Sequence, residues 1–419
     1  MAALVQNGIN LSKKQILPVA SAASTTLAQK AKYATKAEDI EPLKYVSVPT
    51  LKRGTGGRSS FSGIVATVFG SSGCLGAYVV NRLGKIGTQL ILPYRGEYYD
   101  VHPKRVAGDL GQVLFHHYNI KDEDSVRKAI KYSNVVINLV GRDWETKNFS
   151  FEEVNVHAPR RLARIARELG VEKFIHVSDA NASPDPPVGT SLIYSVTRDV
   201  ICRCTRRVRR LLSSPCSLET WLRLLSTRLR IDSIFFSVLF CRYFTHIFRH
   251  QGRYMPMYKK GEETIKQPVF AGDVAQAIVH AAKDRDSRGK TYLGYGPHRY
   301  RLSDLVDYFH ALVNRDYESW GYKRYDIKYD PFFLLRAKIN EKFTLSWPIG
   351  FVHPEYIERE SISDPIAVED FTLEDLGVNL TPIEDMAPWL LEYTRTNRYY
   401  DEEIRLFHKI QKPQPVKGI

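Results

Sequence analysis

Residues 64–95 read IVATVFGSSGCLGAYVVNRLGKIGTQLILPYR, and this stretch decides the fold because strand, glycine turn, helix and second strand follow one another without interruption. Ile64 to Phe69 is a short apolar, β-branched run of the kind that forms a strand buried on both faces. Gly70-Ser71-Ser72-Gly73-Cys74-Leu75-Gly76 follows directly with G-x-x-G-x-x-G spacing. In such a turn one glycine turns the chain tightly, one lets backbone approach a pyrophosphate, and one lets the helix pack on the strand. Leu75, Val79 and Leu83 then recur at helical spacing, with Asn81, Arg82 and Lys85 elsewhere on the surface. The helix therefore starts at the turn, its free N–H groups aimed where a diphosphate would sit. A lone glycine pattern carries little weight; the flanking strand and helix give it meaning.

The second strand, Gln89 to Leu92, runs into Pro93-Tyr94-Arg95. An acidic residue about 20 residues beyond the turn would hold an adenosine ribose 2′-hydroxyl. Arginine there suits a 2′-phosphate instead, which favours NADPH; Glu97 or Asp100 reaching back, or an ordinary surface role for Arg95, are the alternatives. Val113 to His117 reads as a third strand, followed by Asn119-Ile120-Lys121-Asp122 in a loop placed to touch adenine, and by a short helix from Asp124-Ser125 to Ile130. Val135 to Leu139 is a fourth buried strand whose end, Val140-Gly141, is of the kind that lines ligand crevices. Phe151 to Leu169 is an amphipathic helix with Leu162, Ile165, Ala166 and Leu169 inward and Arg160, Arg161, Arg164 and Arg167 in solvent. Residues 174–177 form a fifth strand ending at Ser178. Strands alternating with helices at this spacing predict an α/β, Rossmann-type doubly wound parallel sheet.

These features resemble the extended short-chain dehydrogenase/reductases: the glycine turn, the strand ending in N-x-x-G (Asn138-Leu139-Val140-Gly141), the strand ending Val177-Ser178, and a helix start at Asp273-Val274-Ala275. The fuller wording VGRDWETKNFSFEEVNV, TIKQPVFAGDVAQAIVHAAKD and EDLGVNLTPIEDM is similar to the family of NADPH-binding accessory subunits of mitochondrial respiratory complex I. That similarity covers about Phe61 to Asp185 and Tyr243 to Tyr400. It implies NADPH as cofactor, held by Gly70, Ser72, Gly73, Cys74, Leu75, Gly76, Arg95, Asn119, Ile120, Leu139, Val140, Gly141 and Ser178. It also implies other complex I subunits as partners, the matrix side of the inner membrane as location with peripheral membrane contact, and a smaller mixed C-terminal portion after the Rossmann core.

Reductase chemistry in the superfamily needs a tyrosine that gives a proton to a carbonyl and a lysine four residues on that lowers its pKa. Tyr194 stands at a plausible interval after Ser178, but the residue four further is Arg198. A bulky forked cation does not replace a compact ammonium there. The expectation is that no residue is catalytic and the chain is not itself an enzyme, against the alternative of a free NADP-dependent reductase or epimerase.

The chain has 419 residues and a formal charge of +14, compatible with nucleic acid, an anionic membrane, an anionic partner or a basic targeting peptide. Part of the excess is local: Lys13, Lys14, Lys30, Lys32 and Lys36 precede the first acid, Glu38, around a run of alanine, serine and threonine. Residues 1–37 thus read as a mitochondrial presequence, or else a basic tail, and 38–60 as a Gly-rich linker. Residues 61–187 form the nucleotide core.

Residues 188–242 depart from the pattern, concentrating arginines with Cys202, Cys204, Cys216 and Cys241. Their spacing makes a poor zinc site and the arginines lack interleaved aromatics, so neither metal nor nucleic acid is expected. The segment reads as an atypical insert or an out-of-frame stretch. Family-like sequence resumes to 400, with a helix over 273–283 capped by Asp273 and another from Ser303. Around them Tyr317, Trp320, Tyr322, Tyr325, Tyr329, Phe332 and Phe333 mix with lysine and arginine, which suits a membrane interface, a protein partner or a small satellite core. Residues 401–419 read as a tail, disordered from Lys409.

Overall fold

The computed structural model describes residues 52–141, 147–150, 152–179, 226–231, 254–313, 323–333, 335, 339, 361–364, 371–391 and 410–416. The first half alternates as its pattern predicts: β1 (Val65–Phe69), α1 (Cys74–Lys85), β2 (Gln89–Tyr94), α2 (Tyr98–Val101), β3 (Val113–His117), α3 (Glu123–Ile130), β4 (Val135–Asn138), α4 (Ala158–Glu168) and β5 (Lys173–Asp179). Then come β6 (Ser226–Ile231), β7 (Tyr254–Met257), β8 (Ile265–Lys266), α5 (Ala271–Lys283), β9 (Thr291–Gly294), β10 (Tyr300–Arg301), α6 (Leu302–Val313), β11 (Lys323–Asp326), β12 (Phe371–Thr372) and α7 (Ile383–Leu390).

Eight of these strands form one parallel sheet in the order β12-β9-β6-β5-β4-β1-β2-β3. The chain leaves β1 towards β2 and β3, then crosses back to lay β4 on the other side of β1. That reversal makes the C-terminal ends of β1 and β4 a topological switch point, where ligands bind in open α/β sheets.

Both faces are covered. On one, Leu75, Val79, Val80 and Leu83 of α1 pack with Val274, Ala277, Ile278 and Ala281 of α5 against Ala66, Val68, Leu90 and Ile137. On the other, Val126 and Ile130 of α3 and Leu162, Ile165 and Ala166 of α4 cover Phe69, Val136 and Phe174. Each fully buried valine, leucine, isoleucine or phenylalanine among them contributes roughly 1.5–3 kcal/mol relative to exposure. A separate cluster joins Met255, Met257, Tyr300, Phe309, Ile383 and Ala387.

Four expectations need correction. The helix after Phe270 begins at Ala271, and Asp273 is no cap: its carboxylate accepts from the Thr381 amide at 2.7 Å and hydroxyl at 3.1 Å, so its role is to hold the chain ahead of α7. The helix preceding β4 starts one residue earlier than read, because Asp122, not Asp124, accepts from the first-turn amides of Asp124 and Ser125. The arginine face of α4 is not merely solvated: Arg161 donates to the Ile120 carbonyl and Arg164 pairs with Glu123, strapping α4 to α3. The tail from Lys409 is not disordered over 410–416, since Ile410 packs on the second cluster and the Val416 amide donates to the Arg299 carbonyl at 2.8 Å. Within the atypical stretch, Ser226–Ile231 forms a strand paired on both sides; the remainder of 188–242 lies outside the described residues, as do 1–51 and 392–409.

A buried ion pair closes the C-terminal half. Lys266 Nζ lies 3.0 Å from Asp364 Oδ1 with both side chains at or below 1% exposure, and Asp364 Oδ2 accepts from the Gln267 amide at 2.7 Å. Lys173, at the start of β5, is equally enclosed. Its ammonium donates to the carbonyls of Ala281 and Asp284 and to the Ser287 hydroxyl, satisfying the end of α5.

Candidate functional site

The glycine turn is built as its spacing demands, but the three glycines do different work. Gly70 has φ +81°, and a Cβ there would lie 2.9 Å from the Leu139 carbonyl carbon; both conformation and contact exclude a side chain. A Cβ on Gly76 would fall 2.5 Å from the Gly70 oxygen and 2.7 Å from the Ser71 Cα, so the third glycine seats the helix on the turn. Gly73 is neither strained nor crowded. Its φ of −72° and ψ of 170° are open to any residue, and a Cβ would meet only the Gly70 oxygen at 3.4 Å.

Gly73 is the N-cap of α1, no side chain caps the helix and no acid lies in its first turn. The positive end of the helix dipole is therefore not offset by a side chain of its own first turn, and it favours an anion in front of it. The basic residues Arg82 and Lys85 sit in the last turn, where they complement the other end.

In front of this turn is a crevice of about 340 Å³, within the size range of small-molecule sites. It gathers Gly70, Ser72, Gly73, Arg95, Ile120, Leu139, Val140 and Gly141, eight of the thirteen residues expected from the sequence. Tyr94, Gly96, Glu97, Asp100, Tyr118 and Phe149 complete much of the wall. Each part has a local cause. The buried Asn138 side chain accepts from the Val140 amide at 3.1 Å and meets His176 Nδ1 at 3.1 Å, which fixes the turn that carries Leu139 to Gly141. Tyr118 stacks edge-on against Phe69, their centroids 5.3 Å apart; burial pushes its hydroxyl up to about 12, against the pull of the Arg95 charge.

Five expected residues are not in the wall. Cys74, Leu75 and Gly76 form the first turn of α1 behind it, where Leu75 and Gly76 are buried. Asn119 is exposed and braces its own loop, its side chain accepting from the Lys121 amide at 3.0 Å. Ser178 lies near the end of β5, in register with Arg230 of β6. Tyr194 and Arg198 lie outside the described residues.

Arg95 is exposed at the end of β2, its guanidinium carbon 4.9 Å from the Phe149 ring centroid. Lys121 Nζ lies 4.7 Å from the same centroid. Lys121 is otherwise occupied, donating to the Asn148 carbonyl at 2.8 Å and pairing with Glu153 at 3.0 Å. Lys121 belongs to the loop expected to touch adenine, where it braces Phe149; sequence reasoning missed Phe149, since a phenylalanine in a loop carries no spacing signal of its own.

The parallel sheet, the glycine turn and the crevice at the switch point define a Rossmann-type α/β protein. Residues 66–193 match the NAD dependent epimerase/dehydratase family. Among solved structures, a triphenylmethane reductase from Citrobacter sp. superposes with a TM-score of 0.55 at 15% identity, covering 78% of this chain and 99% of that one. The same reductase complexed with NADP(H) gives 0.54 over 78% and 100%. Among curated proteins, the mouse NADH dehydrogenase (ubiquinone) 1 alpha subcomplex subunit 9, mitochondrial, is 37% identical over 381 residues, 88% of this chain and 89% of that protein. The Neurospora crassa NADH-ubiquinone oxidoreductase 40 kDa subunit, mitochondrial, is 32% identical over 352 residues, 83% and 84% of the two chains. The chain belongs to the family of these mitochondrial alpha subcomplex subunit 9 proteins.

Proposed function

We propose that this protein is an accessory subunit of mitochondrial NADH:ubiquinone oxidoreductase that holds NADPH as a structural ligand and turns over no substrate. Its partners are other subunits of that complex, and its place is the matrix side of the inner membrane, reached after removal of residues 1–37. The observation that carries the nucleotide reading is the uncapped N-terminus of α1 facing a crevice with an exposed arginine at the end of β2. A pyrophosphate fits against the N-terminal turn of α1, which no side chain caps, and Arg95 suits a 2′-phosphate. The subunit reading rests on the names of relatives that span most of this chain.

NADPH supplies hydride chemistry where an enzyme positions a substrate and a proton donor beside it. In this sequence Arg198 stands where a lysine would lower the pKa of Tyr194, so the proton donor is not prepared. What binding delivers is folding free energy: a ligand selective for the native state adds RT ln(1 + [L]/Kd), about 2.7 kcal/mol at a hundredfold excess over Kd. The match to an epimerase/dehydratase family favours a second reading, a free NADP-dependent reductase or epimerase.

One pair of measurements separates them. Added NADPH should raise the melting temperature of the purified chain more than NADH does, with no substrate-dependent NADPH oxidation across aldehydes, ketones and nucleotide sugars. Steady turnover that disappears in Tyr194→Phe establishes the reductase instead.

A further inference from the structure

We propose that Phe149 is a positioning residue: its ring holds the Arg95 guanidinium in place to receive the phosphate monoester on the adenosine 2′ position of a bound dinucleotide. The inference rests on the NADPH reading above and adds the group that makes the arginine selective.

Arg95 is an exposed residue at a strand end, and two carboxylates, Glu97 and Asp100, share the crevice wall with it. A free guanidinium in that setting has two competing fates. It can scatter among solvent rotamers, whose loss on binding opposes affinity, or it can fold back onto its own acids and neutralise itself. Neither is seen. Arg95 makes no ion pair among the described residues, and its guanidinium carbon lies 4.9 Å from the Phe149 centroid. The face of an aromatic ring attracts a cation without neutralising it, so the full charge and the N–H donors stay available to an anion.

The ring is itself held. Lys121 Nζ lies 4.7 Å from the Phe149 centroid, bonds the carbonyl of Asn148 at 2.8 Å, and pairs with Glu153 at 3.0 Å. Lys121 thereby ties the residue before Phe149 to the helical turn at Glu153, leaving its own charge matched. The result is a division of labour between two cations on one ring. Lys121 fixes the loop, and Arg95, resting on the ring that the loop carries, meets the ligand. A dinucleotide with a bare 2′-hydroxyl offers Arg95 no charge to pair with, so the benefit of placing it falls on the phosphorylated ligand alone.

The test is calorimetric titration of the purified full chain with adenosine 2′,5′-bisphosphate and with adenosine 5′-monophosphate. Phe149→Leu keeps an apolar group at the wall but removes the ring face; Phe149→Tyr keeps the face. We expect Phe149→Leu to weaken the bisphosphate by about two- to fivefold while the monophosphate stays unchanged, and Phe149→Tyr to bind as the parent does. In an Arg95→Ala background Phe149→Leu should cause no further loss, because the ring then has nothing to place. Equal weakening of both ligands would make Phe149 a plain wall residue and overturn the inference, as would a loss that persists undiminished in the Arg95→Ala background. If the parent chain binds neither nucleotide, the NADPH reading itself fails and takes the inference with it.

Discussion

Placing a side chain on Gly73 should abolish nucleotide binding while sparing the fold, and doing so on Gly76 should do the reverse of sparing it. At Gly73 the backbone is extended and the new Cβ meets only one oxygen at 3.4 Å. Alanine is a poorer N-cap than glycine by up to ~1 kcal/mol, and the stiffer unfolded chain returns ~0.4–1 kcal/mol; the net cost is within about 1 kcal/mol. At roughly 2 °C per kcal/mol for a large chain, the melting temperature without ligand moves by no more than about 2 °C. Valine adds two methyl groups to the crevice wall where a pyrophosphate must touch backbone, so the ligand-induced rise, about 5 °C from ~2.7 kcal/mol at a hundredfold excess, should vanish. At Gly76 the Cβ has backbone atoms at 2.5 and 2.7 Å, and relief requires moving the turn, at ~1–3 kcal/mol or more. Differential scanning fluorimetry of Gly73→Ala, Gly73→Val and Gly76→Ala, each with and without NADPH, reads both quantities. A full NADPH shift in Gly73→Val, or an unchanged ligand-free melting point in Gly76→Ala, refutes the division of roles among the glycines.

Arg95→Ala should weaken NADPH by roughly 1.5–3 kcal/mol, the worth of a hydrogen bond to a charged group, and leave NADH nearly unchanged in parallel titrations; equal losses count against a 2′-phosphate contact. Lys266→Ala strands the buried Asp364 carboxylate and should cost about 3–5 kcal/mol in urea denaturation, with Lys266→Met/Asp364→Leu recovering only part because the Gln267 amide loses its acceptor. Burial pulls the Lys173 ammonium down to about 8 from an ordinary 10.5, so between those pH values the unfolded chain binds the extra proton and stability rises with pH. The melting temperature of the parent relative to Lys173→Met should therefore climb from pH 7.5 to pH 9.5, and a flat difference disproves the assignment. Sequencing the N-terminus of protein isolated from mitochondria should find it beyond the basic segment, between Ala34 and Glu38; recovery of Met1 or Ala2 removes the presequence.

The first five strands and the glycine turn were legible because their signals are local. An apolar run such as Val135 to Asn138 announces a buried strand by itself, and the turn's conformation is dictated by residues adjacent in sequence. Arg95 was legible for the same reason, as a strand end at a known distance from the turn. The rest of the crevice is assembled from afar. Phe149 reaches it only because β4 returns beside β1, and its hold on Arg95 depends on Lys121, in a separate loop. Asp273 has the composition of a helix cap, yet its partner is Thr381, more than a hundred residues on, and that contact decides its role. Residues 410–416 look like a polar tail because their anchor, the carbonyl of Arg299, is backbone and carries no sequence signal.

The position of Ser226–Ile231 bears on how this gene product tolerates alteration. Among the described residues β9 and β12 join the other strands of the sheet through β6 alone. A parallel ladder is an exchange of amides and carbonyls, indifferent to the identity of the side chains above and below it. Such a strand can be rewritten, residue by residue, and still bridge its neighbours, provided no proline interrupts the donors. Losing it is another matter. A transcript that skipped these six positions would leave β5 and β9 facing each other across an empty lane 4.7–4.9 Å too wide for pairing, whereas one that altered their coding while keeping their number would leave the sheet spanned.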